Sequence, residues 1–125
     1  MIKLVLPDEK PKSWNEYWSG VHWTKRKRER DRIHLVVRSV IDPNKAKIYD
    51  VPVRININAY FKDKRVQLDA GNIANKAYID ALEGWFIVND KPEYVRFVQT
   101  GSFIDRENPR IEIEIIPITK PKELT

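Results

Sequence analysis

Cysteine is absent from the 125 residues. That excludes disulfides, thiolate metal sites and a cysteine nucleophile, and it is compatible with a cytoplasmic protein, which is the expected location. Histidine is scarce: His22 and His34 stand too isolated to argue for zinc. No Gly-rich phosphate loop, H-E-x-x-H or C-x-x-C is present, and there are no internal repeats or low-complexity tracts. Long hydrophobic runs are missing as well. The apolar opening Met1 to Leu6 stops at Pro7-Asp8, too short for a signal or membrane segment. The expectation is one domain spanning residues 1–125, with no membrane partner.

Charge, by contrast, is plentiful: 33% of residues are charged, the formal net charge is +5 and the pI is near 9.5. Lys25 to Arg32 holds six basic and two acidic residues and so accounts for +4 of that +5. With Thr24 as N-cap and a helix continuing to about Ile41, the apolar stripe Ile33, Val36, Val37, Val40, Ile41 belongs to the core. The basic run then occupies the helix N-terminus, where cations oppose the macrodipole. A polyanionic partner supplies the rationale, and DNA phosphate contact is expected from Lys25, Arg26, Lys27, Arg28 and Arg30. Three tryptophans, Trp14, Trp18 and Trp23, crowd the preceding segment with Tyr17 and His22. Trp23 and His22, beside the basic run, suit stacking on bases; Trp14 and Trp18 are expected to pack on the core.

Strands are read from alternation. Ile2 to Leu6 is a short strand, and Val51 to Lys62 a long one with Val53, Ile55, Ile57, Ala59 and Phe61 on one face. Tyr94 to Thr100 and Arg110 to Ile118 alternate too, joined by a polar hairpin-like connection from Gly101 to Pro109; Pro117, Pro121 and the charged tail end regular structure. The order β-α-β-α-β-β makes the fold α+β: a mixed, largely antiparallel sheet with two main helices on one face.

Everything converges on Gln67 to Val95. A helix over Asn72 to Glu83 puts Asn72, Lys76, Asp80 and Glu83 on one stripe and leaves the rest of its girth apolar, hence buried. Gly84 is a helix stop, and Trp85 to Val88 a short apolar run followed by Asn89-Asp90. The plain reading of Lys76 and Asp80 is an i, i+4 rim pair worth a few tenths of a kcal/mol. The alternative is that Asp69, Asp80 and Asp90 converge with Lys76 on a divalent cation, which takes oxygen ligands.

These pieces, D-x-x-N, then K-x-x-x-D-A-L, then N-D-x-P-E-Y-V, together with N-x-Y-W and H-W-x-K-R upstream, resemble the RusA family of Holliday junction resolvases. The resemblance covers most of the chain. It implies a RusA-like fold and a homodimeric, magnesium- or manganese-dependent endonuclease that hydrolyses phosphodiesters in four-way DNA junctions. On the family pattern Asp69 and Asp90 match metal-binding carboxylates, Asp80 the acid after the catalytic lysine, Lys76 that lysine, and Asn72 the motif asparagine. Arg65, close behind, would serve as a phosphate ligand. Gly71 stands where the family has its second aspartate, and Asn89 where it has the first of an acidic pair. A non-catalytic DNA-binding module with a degenerate metal site is the alternative reading of those two departures.

Overall fold

The computed structural model describes residues 1–18 and 22–119. The expectation for Pro121 and the tail falls outside them. Strands β1 (Ile2–Pro7), β2 (Val53–Phe61), β3 (Val95–Ile104) and β4 (Arg110–Pro117) form one sheet in the order β1-β4-β2-β3. β4 pairs antiparallel with both β1 and β2, whereas β2 and β3 run parallel. The fold is α+β, with a mixed sheet.

Alternation along β2 translates directly into burial: Val53, Ile55, Ile57, Ala59 and Phe61 all point inward. Ile111, Ile113 and Ile115 of β4 lie opposite Ala59, Ile57 and Ile55, and Leu4 and Leu6 extend the layer. Helix α2 (Trp23–Ser39) packs Ile33 and Val37 onto that layer, and α3 (Lys76–Asp80) adds Ala77, Tyr78 and Ile79 in the same cluster. A third helix, α1 (Trp14–Trp18), carries a capping box: the Glu16 N–H donates to Ser13 Oγ at 3.1 Å, and the Ser13 N–H donates to Glu16 Oε1 at 3.3 Å.

Three expectations are corrected. First, β3 and β4 are not hairpin neighbours. Residues 105–109 carry the chain across the end of β2, where the Asp105 N–H donates to the Phe61 carbonyl at 2.8 Å. Asp105 also accepts from the Glu107 and Asn108 amides, which makes so short a crossing compact. Second, β3 runs on through Gly101, because glycine suits this crowded spot. A Cβ there would stand 2.6 Å from Asn58 Oδ1 and 2.7 Å from the Phe103 ring.

Third, the helix expected over Asn72 to Glu83 is broken. A 3-10 turn covers Ala70–Asn72, α3 holds only Lys76–Asp80, and turns follow to Gly84, whose φ of +80° closes the segment. The apolar residues are buried as the pattern required, from Ile73 to Leu82 and again at Phe86 and Ile87. Tertiary hydrogen bonds replace those a longer helix would make. The Ala74 N–H donates to the Lys12 carbonyl at 2.9 Å, Asn75 Nδ2 to Thr100 Oγ1 at 3.1 Å, and the Tyr49 N–H to the Phe86 carbonyl at 3.0 Å.

Candidate nucleic-acid interface and carboxylate–lysine site

The site is built on the crossover between β2 and β3. Gln67 Nε2 donates to Ser102 Oγ, which donates to the Leu68 carbonyl, so the segment entering the site is fastened to β3. The brevity of α3 leaves Lys76 in its first turn and Asp80 in its last. Lys76 Nζ lies 2.8 Å from Asp90 Oδ2 and 3.4 Å from Asp80 Oδ1. The rim pair is therefore real, but its shorter arm goes to Asp90, fourteen residues on.

Electrostatics follows from this arrangement. Hydrogen bonding to Asp90, reinforced by the Asp80 charge, pushes the Lys76 ammonium above its ordinary value, and Lys76 in turn holds Asp90 below the usual carboxylate range. Glu83, on the expected stripe but not among the expected site residues, is pushed up by burial and then by the Asp80 and Asp90 charges. Its signal was its place one turn beyond Asp80. His34 is pushed down, first by burial and then by Arg38 and Arg30, and its Nε2 is buried without a hydrogen-bond partner.

Asp69 stands apart. It precedes the 3-10 turn, its carbonyl accepts from the Asn72 N–H at 2.8 Å, and both side chains are exposed. Arg65 turns its guanidinium to Asp63 at 3.5 Å rather than to Asp69. Among the described residues no three histidine, cysteine or acidic side chains are grouped closely enough to hold an ion, so Asp69, Asp80 and Asp90 do not stand together here. Asn89 is engaged locally, accepting from the Lys91 N–H at 2.9 Å.

Next to Lys76 opens a groove of about 470 Å³ whose lining includes Tyr17, Trp18, Trp23, Arg26, Lys27, Arg30 and Asp80. It joins the basic–aromatic segment to the carboxylate–lysine site, two regions some fifty residues apart in sequence. Trp18 is a groove wall and not a core residue as expected: it is 48% exposed, with the Arg26 guanidinium 4.9 Å over its ring and Tyr17 edge-on at 5.2 Å. Trp14, half-buried, touches Tyr17 at 6.4 Å.

Helix α2 begins earlier than Thr24: His22 is its cap, Nδ1 accepting from the Thr24 N–H at 3.2 Å. Of the basic run, Lys25 and Arg28 line the flanking groove with Arg26, while Lys27 and Arg30 sit 3.6 and 3.5 Å from Asp31. Arg32 turns inward instead, donating from both terminal nitrogens to buried Glu9 at 3.0 and 2.8 Å. Glu9 also accepts from the Tyr78 hydroxyl at 2.7 Å. No helix among the described residues is long and apolar enough to cross a membrane. Compared with protein-family models and with curated proteins, the chain matches none.

Proposed function

We propose that this protein is a divalent-metal-dependent endonuclease of branched DNA, acting on four-way junctions as a two-fold homodimer. The observation that carries the reading is the groove in which Arg26, Lys27 and Arg30 meet Lys76 and Asp80. The resemblance to RusA resolvases supplies the reaction class. A basic surface of this kind binds the DNA backbone, and binding by it weakens steeply with salt.

Two carboxylates are the donor chemistry a hard cation takes, although no third acid stands with them among the described residues. Asp80 and Asp90 already share one positive charge, the Lys76 ammonium, and magnesium is commonly held by one or two carboxylates with water and phosphate completing its shell. When bound there, it would supply Lewis-acid activation of water and neutralise phosphoryl charge. Asp69 joins the proposal through the resemblance alone. Lys76, held protonated by its two partners, serves as a charge stabiliser or proton donor toward the leaving 3′ oxygen, not as a base. Arg26, Lys27 and Arg30 hold the strand.

The test is a labelled four-way junction incubated with and without magnesium or manganese. Cleavage is expected only with metal, with loss of about 100-fold or more in Lys76→Ala and Asp90→Asn and junction binding retained. Sedimentation at tens of micromolar checks the homodimer. A second reading, a binding module that does not cut, is favoured by Asn89 being committed to its own turn and by the two acids both being engaged by Lys76. Junction binding indifferent to chelator, with no cleavage under any divalent metal, would establish it.

A further inference from the structure

Phosphodiester hydrolysis needs cations and carboxylates, but it does not need indoles. Leaving indole surface in water forgoes roughly 25 cal/mol per Å² of burial, so an open tryptophan in the groove asks for a partner. Several other partly open rings are covered. Arg54 lies 4.5 Å over Phe97, Arg110 lies 3.8 Å over Tyr60, and Tyr60 stacks on Phe103 at 5.1 Å. Trp18 is treated in the same way by Arg26.

Trp23 differs. It is 62% exposed, no cation lies over its ring among the described residues, and its ring neighbour is His22 at 5.9 Å, tilted by 33°. His22 is itself held by its bond from Thr24, so the platform is ordered at the start of α2. Lys27 and Arg30 follow Trp23 by four and seven residues and therefore share its helix face. Their contacts with Asp31, itself half exposed, are loose enough to exchange for phosphate.

We infer that the groove is a site for an unpaired nucleotide of DNA, its base stacked on Trp23 against the Arg26–Trp18 wall and its phosphates on Lys27 and Arg30. This rests on the reading that the groove takes DNA, but not on cleavage. A base inside an intact duplex is stacked on both faces and cannot present one to Trp23. The groove thus selects DNA with splayed nucleotides, such as a branch point, over continuous duplex.

The experiment uses the full chain in EDTA with two probes, a ten-residue oligo-dT and a blunt twenty-pair duplex. Oligo-dT is expected to quench tryptophan fluorescence and to compete with a four-way junction better than the duplex does. Trp23→Ala should weaken oligo-dT binding about 5- to 100-fold, the range for losing one stacked base, while Trp23→Phe keeps most of the affinity. Lys27→Gln and Arg30→Gln should weaken both probes alike. Oligo-dT binding unchanged in Trp23→Ala, absent in the parental protein, or no tighter than duplex binding would overturn the inference. Stacking without magnesium-dependent cleavage would instead remove the nuclease reading and leave this one standing.

Discussion

Arg30 and Arg32 lie two residues apart on one helix, yet they occupy opposite electrostatic settings. Arg32 closes a network with Glu9, Glu29 and Tyr78, in which the Glu9 side chain is 6% exposed. Arg30 faces an open groove, and its ion-pair partner there is the half-exposed Asp31. Arg32 holds the N-terminal connector to α2 and α3, whereas Arg30 remains available to a polyanion. The composition of a basic run does not assign its members; the burial of the nearest carboxylate does.

The sharpest way to break this comparison is to truncate both arginines. Arg32→Ala leaves Glu9 buried without its bidentate partner and should cost about 2–3 kcal/mol. That is less than for a fully buried pair, because Arg32 is itself half exposed. Arg30→Ala should change stability by no more than about 0.5 kcal/mol while weakening DNA binding. Urea midpoints at constant slope report the first and a binding titration the second. Equal destabilisation by the two would dissolve the distinction. Next in size, Tyr78→Phe should cost about 1–2 kcal/mol by removing one hydrogen bond to a buried carboxylate, with groove binding unchanged.

The smallest effect belongs to the Lys76–Asp90 pair. Asp90 is depressed by Lys76, so its contribution is present above its ordinary value of 3.8 and lost as pH falls through the lower folded value. Lys76 is raised, so its contribution is present below 10.5 and lost as pH rises through the higher folded value. Between those limits the exposed pair should contribute under about 1 kcal/mol. Asp90→Asn should flatten both limbs of a stability–pH curve, the acid one and the alkaline one.

Much of this was legible in the sequence where structure is local. The period of two in β2 gave its inward face, and of the stripe Ile33, Val36, Val37, Val40, Ile41 all but Val40 face the core: α2 ends at Ser39, not Ile41, and Val40, its C-cap, is exposed. Burial from Ile73 to Leu82 was legible too, although the helix was not. Periodicity reports which residues are apolar, but it cannot see Lys12, Thr100 or Phe86 offering tertiary bonds that make turns as favourable as helix. The inward turn of Arg32 depends on Glu9, twenty-three residues away. The β3–β4 crossing was missed because adjacent strands usually pair, whereas here both flank β2 and the Asp105 N–H caps the end of that strand at Phe61. In the site, Lys76 with Asp80 was readable from spacing. The meeting of Trp23 and Arg30 with Lys76 required the fold.

The pairing of β1 with β4 has a consequence for how the chain is made. Ile2 finds its partner in Ile115, and Leu6 in Ile111. At about 5–20 residues per second, ribosomal synthesis leaves β1 waiting on the order of 5–20 s before β4 exists. Until then its buried residues, Leu4 and Leu6, have no neighbouring strand, and the sheet cannot close around β2. Such long-range pairing slows folding relative to an all-helical chain, because loop closure must precede the contacts that reward it. Fusing a stalled ribosome just short of Arg110 should therefore yield a nascent chain that proteases cut within β1, and release past Pro117 should protect it.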